Sequence, residues 1–253
     1  MLDLLVDPQA WAALATLTAL EIVLGVDNIV FISVLVSRCE PQQGKRARQI
    51  GLALAFVFRV ILLLGLTWLM RLTYPVAAVL GRDFSWHDII LIAGGLFLIA
   101  KATHEIHAEV EGDEDDGAGA KAYAAFSMIV AQIVIVDLVF SIDSIVTAIG
   151  MAQDIEIMIA AVVIAMIVMY LASGPIARFI AEHPTTKMLA LAFLVMIGLA
   201  LVADGFAFHI PRGYIYASMA FAGAVEVFNV LARRNRVRKA ARTKRQGMRE
   251  RHQ

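Results

Sequence analysis

Seven stretches of this chain are too long and too evenly apolar to belong to a water-soluble core. They cover residues 10–36, 51–70, 89–100, 126–151, 157–173, 188–203 and 214–232. Several reach the roughly 20 residues that an α-helix needs to cross about 30 Å of hydrocarbon. Backbone groups in lipid have no water to bond, so a spanning segment is either a helix or part of a closed barrel. Barrel strands alternate polar and apolar residues, and these runs do not. The expected fold is an all-α membrane protein of about seven transmembrane helices. Composition agrees, with 60% hydrophobic residues, only 17% charged and a mean hydropathy of +0.76, whereas soluble domains hold about 25% charged residues. The N-terminus carries Asp3 and Asp7 rather than a basic leader region, so the first helix is expected to remain as a permanent span. The single cysteine, Cys39, excludes an intramolecular disulfide.

The net charge is zero, with 22 basic and 22 acidic residues, but the distribution is uneven. Alternate inter-span segments divide the Lys and Arg residues 18 to 3, with Arg59 alone inside a span. By the positive-inside rule, seven crossings then place the N-terminus outside and the C-terminus in the cytoplasm of an inner-membrane protein. The segment 233–253 reads as a basic cytoplasmic tail suited to anionic lipid, and membrane context accounts for its charge without nucleic acid. The segment 109–122 contains EVEGDEDD and reads as an acidic, solvated cytoplasmic loop.

Two spans repeat one another. Residues 21–31 read EIVLGVDNIVF and residues 137–147 read DLVFSIDSIVT. Both fit an acid, five residues, Asp, Asn or Ser, Ile and Val. Three spans separate the copies, so the second enters the membrane from the opposite side. The expected organisation is a 3+3 inverted repeat plus one helix: a first three-helix half at 10–108, an inverted half at 123–208 and a seventh helix at 213–232. Secondary transporters are built this way, with ion sites near mid-membrane where the halves meet. A weaker echo pairs GLFLIAK at 95–101 with GLALVAD at 198–204.

Five carboxylates interrupt the apolar runs: Glu21, Asp27, Asp137, Asp143 and Glu226. Each ionised acid at the bilayer centre costs about 2.5–3.5 kcal/mol even on the lenient insertion scale, so they must face one another, a cavity or a cation. Arg59 is the one basic residue within hydrocarbon, too little to neutralise five acids. Protons, a bound metal cation or both are expected to supply the remainder. A seven-residue step turns an ideal helix by about 700°, so Glu21 and Asn28 share a face, as do Asp137 and Ser144. A break near Gly25 or Ser141 would turn Asp27 and Asp143 inward as well and free backbone carbonyls as ligands. Glu226 and Asn229 form a further oxygen-bearing pair on the seventh span. Such donors suit Mn²⁺, Mg²⁺ or Ca²⁺ rather than thiolate- and imidazole-seeking metals. His104, Glu105 and His107, just past the third span, read as a solvated helix end.

At these residues the chain resembles the TerC family of integral membrane proteins. The likeness is carried by LEIVLGVDNIVFISVL (20–35), GGLFLIAKATHEIH (94–107), DLVFSIDSIVTAIG (137–150), HIPRGYIYASMAF (209–221) and VEVFN (225–229). The resemblance implies a seven-helix transporter fold and export of Mn²⁺ from the cytoplasm. It implies a metal site at Glu21, Asp27, Asn28, Asp137, Asp143 and Ser144; the buried polar pattern itself adds Arg59, Glu226 and Asn229 as further candidates. Mn²⁺ enters as substrate, and an enzyme is not expected, nor an appended regulatory module. Two alternatives stand beside it. One is a transporter of Ca²⁺, Na⁺ or protons; the other is a non-transporting partner of the translocation machinery that hands metal to secreted proteins.

Overall fold

The computed structural model describes residues 7–37, 39–65, 69–79, 82–111, 120–149 and 155–250. Seven helices account for most of them: α1 (Pro8–Val36), α2 (Pro41–Leu64), α3 (Trp86–Glu111), α4 (Ala120–Ile149), α5 (Ile155–Glu182), α6 (Pro184–Gly205) and α7 (Arg212–Glu250). Among the described residues, α1 to α6 are each long and apolar enough to cross a membrane. The expected seventh span lies on α7, where Glu226 and Asn229 interrupt the apolar stretch. That helix continues to Glu250 through most of the segment expected as a tail. Residues 112–119 of the acidic loop and 150–154 between α4 and α5 lie outside the described residues.

Helix ends follow local chemistry. Pro8, Pro41 and Pro184 each open a helix, where the missing N–H costs nothing and φ is already helical. The Asp7 side chain accepts from Gln9 N at 2.9 Å. Ser85 and Asp88 cap α3 reciprocally: Asp88 Oδ2 accepts from Ser85 N (2.9 Å), and Ser85 Oγ accepts from Asp88 N (3.2 Å). The helices outrun the apolar runs at their polar ends. Thus α2 takes in Lys45, Arg46 and Arg48, and α3 continues past His104 and His107 to Glu111.

Between α2 and α3 the chain forms a 3₁₀ turn (Met70–Thr73) and an antiparallel hairpin of β1 (Pro75–Val79) and β2 (Arg82–Ser85). No alternating pattern in the sequence announces this hairpin. It is fastened to the end of α6 by an edge-on contact of Phe84 with Phe206, 5.8 Å between ring centres.

The chain divides into two compact units, one up to Ile210 and one from Pro211 onward. In the first, the most extensive packings are α3 on α6, α1 on α5 and α2 on α4, with α1 also touching α4. Each joins a helix before residue 112 to one after residue 119, so the two expected halves interleave in one body. Exchanging α1–α3 for α4–α6 in order maps this set of packings onto itself.

Glycines set the closest approaches. A Cβ on Gly95 would lie 2.5 Å from the Gly198 carbonyl oxygen, and one on Gly198 would lie 2.8 Å from the Gly95 oxygen. The obstructing atoms are backbone and cannot yield, the small-residue crossing common in membrane helices. Outside these contacts, Val57, Ile61, Leu96, Ile135, Ile167, Leu171 and Leu199 are exposed on the spans. A water-soluble surface does not present such a continuous apolar face; lipid requires it.

Candidate intramembrane cation site

Where α1 crosses α4, the two repeated motifs meet. Asn28 Nδ2 on α1 donates to Asp137 Oδ1 on α4 at 2.9 Å. Glu21, seven residues before Asn28, is linked to Ser144, seven residues after Asp137, through Arg59 Nη2, which donates to both. The contacts are reciprocal: the acid of each motif meets the Asn or Ser of the other, directly or through that arginine. The residue pairs 28–137 and 21–144 have the same sum of positions, so the two copies run antiparallel.

Arg59 of α2 enters this crossing. Its Nη2 donates to Ser144 Oγ at 2.8 Å and to Glu21 Oε2 in a buried ion pair. Its charge also acts on Asp137. Ser141 Oγ donates to Asp137 Oδ2 at 3.2 Å, and Ser144 Oγ turns back on the Ser141 carbonyl at 3.2 Å. All six side chains are buried, with none more than 4% exposed. Burial removes water as a competing partner, so each bond here carries more weight than on a surface.

The seven-residue spacing predicts Glu21, Asn28, Asp137 and Ser144 on facing stripes, and the structure brings these four together. Asp27 and Asp143 are also buried, at 3% and 7% exposure, but none of these bonds joins them to the network. The expected break at Gly25 or Ser141 is absent: α1 and α4 are helical through both positions. Gly25 has a packing reason instead, because a methyl there would collide with the Met169 thioether of α5. Ser141 spends its hydroxyl on Asp137. The sequence offers that hydroxyl as one of the site's oxygen donors, but not its partner.

Among the described residues, no three His, Cys, Asp or Glu side chains form a ready-made metal cluster. What is present suits a hard cation in kind: two carboxylates, two hydroxyls and the Asn28 amide oxygen. That oxygen is buried without a hydrogen-bond partner, an uncompensated acceptor that costs about 1–3 kcal/mol. Arg59 is the only basic residue among the buried polar side chains described. A small cleft with room for about one water opens beside Glu21. Leu17 of α1, Leu63 of α2, Ile145 of α4 and Met158 of α5 are among the residues that line it.

The remaining candidates lie elsewhere. Glu226 and Asn229 belong to α7, in the second unit. His104 and His107 are exposed, as a solvated helix end should be, but Glu105 between them is 3% exposed. It pairs with Lys101 at 2.8 Å, a correction to its expected solvation. One turn on, Glu109 pairs with Lys187 at the start of α6. Cys39 is half-buried between α1 and α2, and burial pushes its thiol up, away from reactivity at neutral pH.

Comparison with known proteins covers nearly the whole chain. Residues 6–241 match the integral membrane protein TerC family. The chain is 50% identical over 237 residues to the UPF0053 inner membrane protein YoaE of Escherichia coli K12, covering 94% of this chain and 46% of that protein. It is 46% identical to a UPF0053 protein of Haemophilus influenzae, covering 92% of this chain and 99% of the relative. It is also 46% identical to the UPF0053 inner membrane protein YgdQ of Escherichia coli K12, covering 89% and 94%. The chain thus spans about half the length of the first relative and nearly all of the other two. No solved structure matches.

Proposed function

The chain belongs to the TerC family of integral membrane proteins, and on that premise we propose that it exports divalent cations, Mn²⁺ foremost, through the α1–α4 crossing. The supporting observation is the reciprocal meeting of two acid-bearing motifs in the membrane interior. Glu21 faces Ser144 and Asp137 faces Asn28, with one arginine among more carboxylates than it can neutralise. Intramembrane acids are costly, and where they persist they mark ion pathways.

The antiparallel run of the motifs, and the mapping of one half's packings onto the other's, support two inverted halves at 10–108 and 123–208. In transporters so built, the ion site lies between the halves, and alternating access comes from rocking one against the other. Glu21, Asn28, Asp137 and Ser144 form the inner part of the site, and Asp27 and Asp143 supply the carboxylates next to it on each helix. All-oxygen donors favour Mn²⁺, Mg²⁺ or Ca²⁺. The inner membrane is the assigned location, in keeping with the names of the relatives, with the N-terminus outside.

The test is Mn²⁺ flux into proteoliposomes, comparing wild type with Asp137→Asn and with the pair Asp27→Ala and Asp143→Ala. Flux in the wild type that the substitutions abolish is the expected result. A folded wild type that binds Mn²⁺ without moving it would replace transport with metal delivery to a membrane partner. Flux of Ca²⁺ or Na⁺ in preference to Mn²⁺ would keep the site and change the cargo.

A further inference from the structure

Resting on that cation site, we infer that Arg59 is a built-in competitor, a tethered cation that holds the Glu21–Asp137 site until a divalent ion displaces it. Three observations carry this beyond a static ion pair.

The first is the mode of attachment. Arginine grips carboxylates most firmly as a fork, with two parallel N–H bonds. Here Nη2 alone carries the bonds to Glu21 and Ser144, while Nε is buried with no partner. A desolvated, unsatisfied donor is a cost that side-chain movement relieves. An arginine built only to fix the structure would spend that donor.

The second is charge. Glu21 and Asp137 both feel the Arg59 charge. A divalent ion seated between the same two acids would face the guanidinium at close range in a medium that screens poorly, and the two cations repel one another. Occupancy is therefore alternative: one cation enters as the other withdraws.

The third is what the site offers a newcomer. The Asn28 amide oxygen is buried, unpartnered and bonded through its nitrogen to Asp137. It is a hard donor that arginine, having no lone pair to share, cannot use, but a metal ion can. The small cleft beside Glu21 is lined by Leu63, one turn along α2 from Arg59.

The experiment measures Mn²⁺ affinity in lipid nanodiscs by the loss of the free-ion EPR signal, comparing wild type, Arg59→Gln and Arg59→Lys. Removing the competitor should tighten binding, so Arg59→Gln is expected to bind at least about tenfold more tightly, while Arg59→Lys stays near wild type. Because Arg59→Gln strands buried carboxylates and can fail to fold, the comparison is repeated between Glu21→Gln and Glu21→Gln/Arg59→Gln. The latter removes both partners of the ion pair together. The double variant should again bind more tightly than its single-variant reference. Affinity that stays level or falls when Arg59 is removed, in either background, overturns the competitor role. Absence of Mn²⁺ binding in every protein, wild type included, overturns the cation site itself.

Discussion

Two of the helix crossings that join the early helices to the later ones are built on opposite principles. At α1–α4 the contact is polar: Asn28 on Asp137, Ser144 beside Glu21, and Arg59 wedged among them. At α3–α6 the contact is backbone on backbone, Gly95 against Gly198. The polar crossing has spare valences, the Asn28 oxygen and the Arg59 Nε, so its bonds can be exchanged for others. The glycine crossing has none, since its closest contacts are backbone carbonyls that cannot move aside. The proposed transport would use both kinds of contact, one to rearrange around a cation and one to keep the halves in register meanwhile.

The sharpest way to break this comparison is to remove the acids at the polar crossing. Asp137→Asn is expected to lower Mn²⁺ export at least about 100-fold while the protein still inserts and folds. Retention of full flux would show the polar crossing to be merely structural. Next comes Glu21→Ala, which leaves the Arg59 charge buried without its carboxylate. That should cost about 3–5 kcal/mol of stability, read as a fall in thermal midpoint in nanodiscs. Gly198→Ala presses a methyl on an immovable carbonyl and should cost about 1–3 kcal/mol. Its unfolding curve should shift while the Mn²⁺ affinity of the surviving folded protein holds. A loss of affinity at unchanged stability would mean that the two crossings do not divide their labour as described. The smallest effect is expected at Ala207, just past α6, which sits at φ 48° in a cap closed by Phe208 N on the Ala203 carbonyl. Glycine is favoured there, so Ala207→Gly should stabilise by about 1 kcal/mol.

Much of the polar crossing was legible from spacing alone. Seven residues bring a helix back to nearly the same face, which is why Glu21 with Asn28 and Asp137 with Ser144 were expected as facing stripes. The partner of Arg59 was not legible, because that depends on how the helices are ordered around one another, which no local pattern records. Gly25 misled for a related reason. A glycine between two acids suggests unwinding, but the same residue serves equally where another helix presses close, and here Met169 does so. The glycine crossing was half visible. The echo of residues 95–101 in 198–204 marked both glycines without showing that they touch. The hairpin at Pro75–Ser85 escaped notice because its strands are five and four residues long, too short for alternation to register.

The α3–α6 pair is held together at three levels: the Phe84–Phe206 contact just beyond one end, the two glycines within, and the Glu109–Lys187 ion pair near the other end. At 26 residues, α3 alone is about 39 Å long, more than the thickness of the hydrocarbon it crosses. Fastened at both ends and in the middle, the two helices resist sliding and splaying, which makes the pair a stiff element of the fold. If the two halves rock as proposed, this pair links one side of the membrane to the other by a route separate from the candidate cation site.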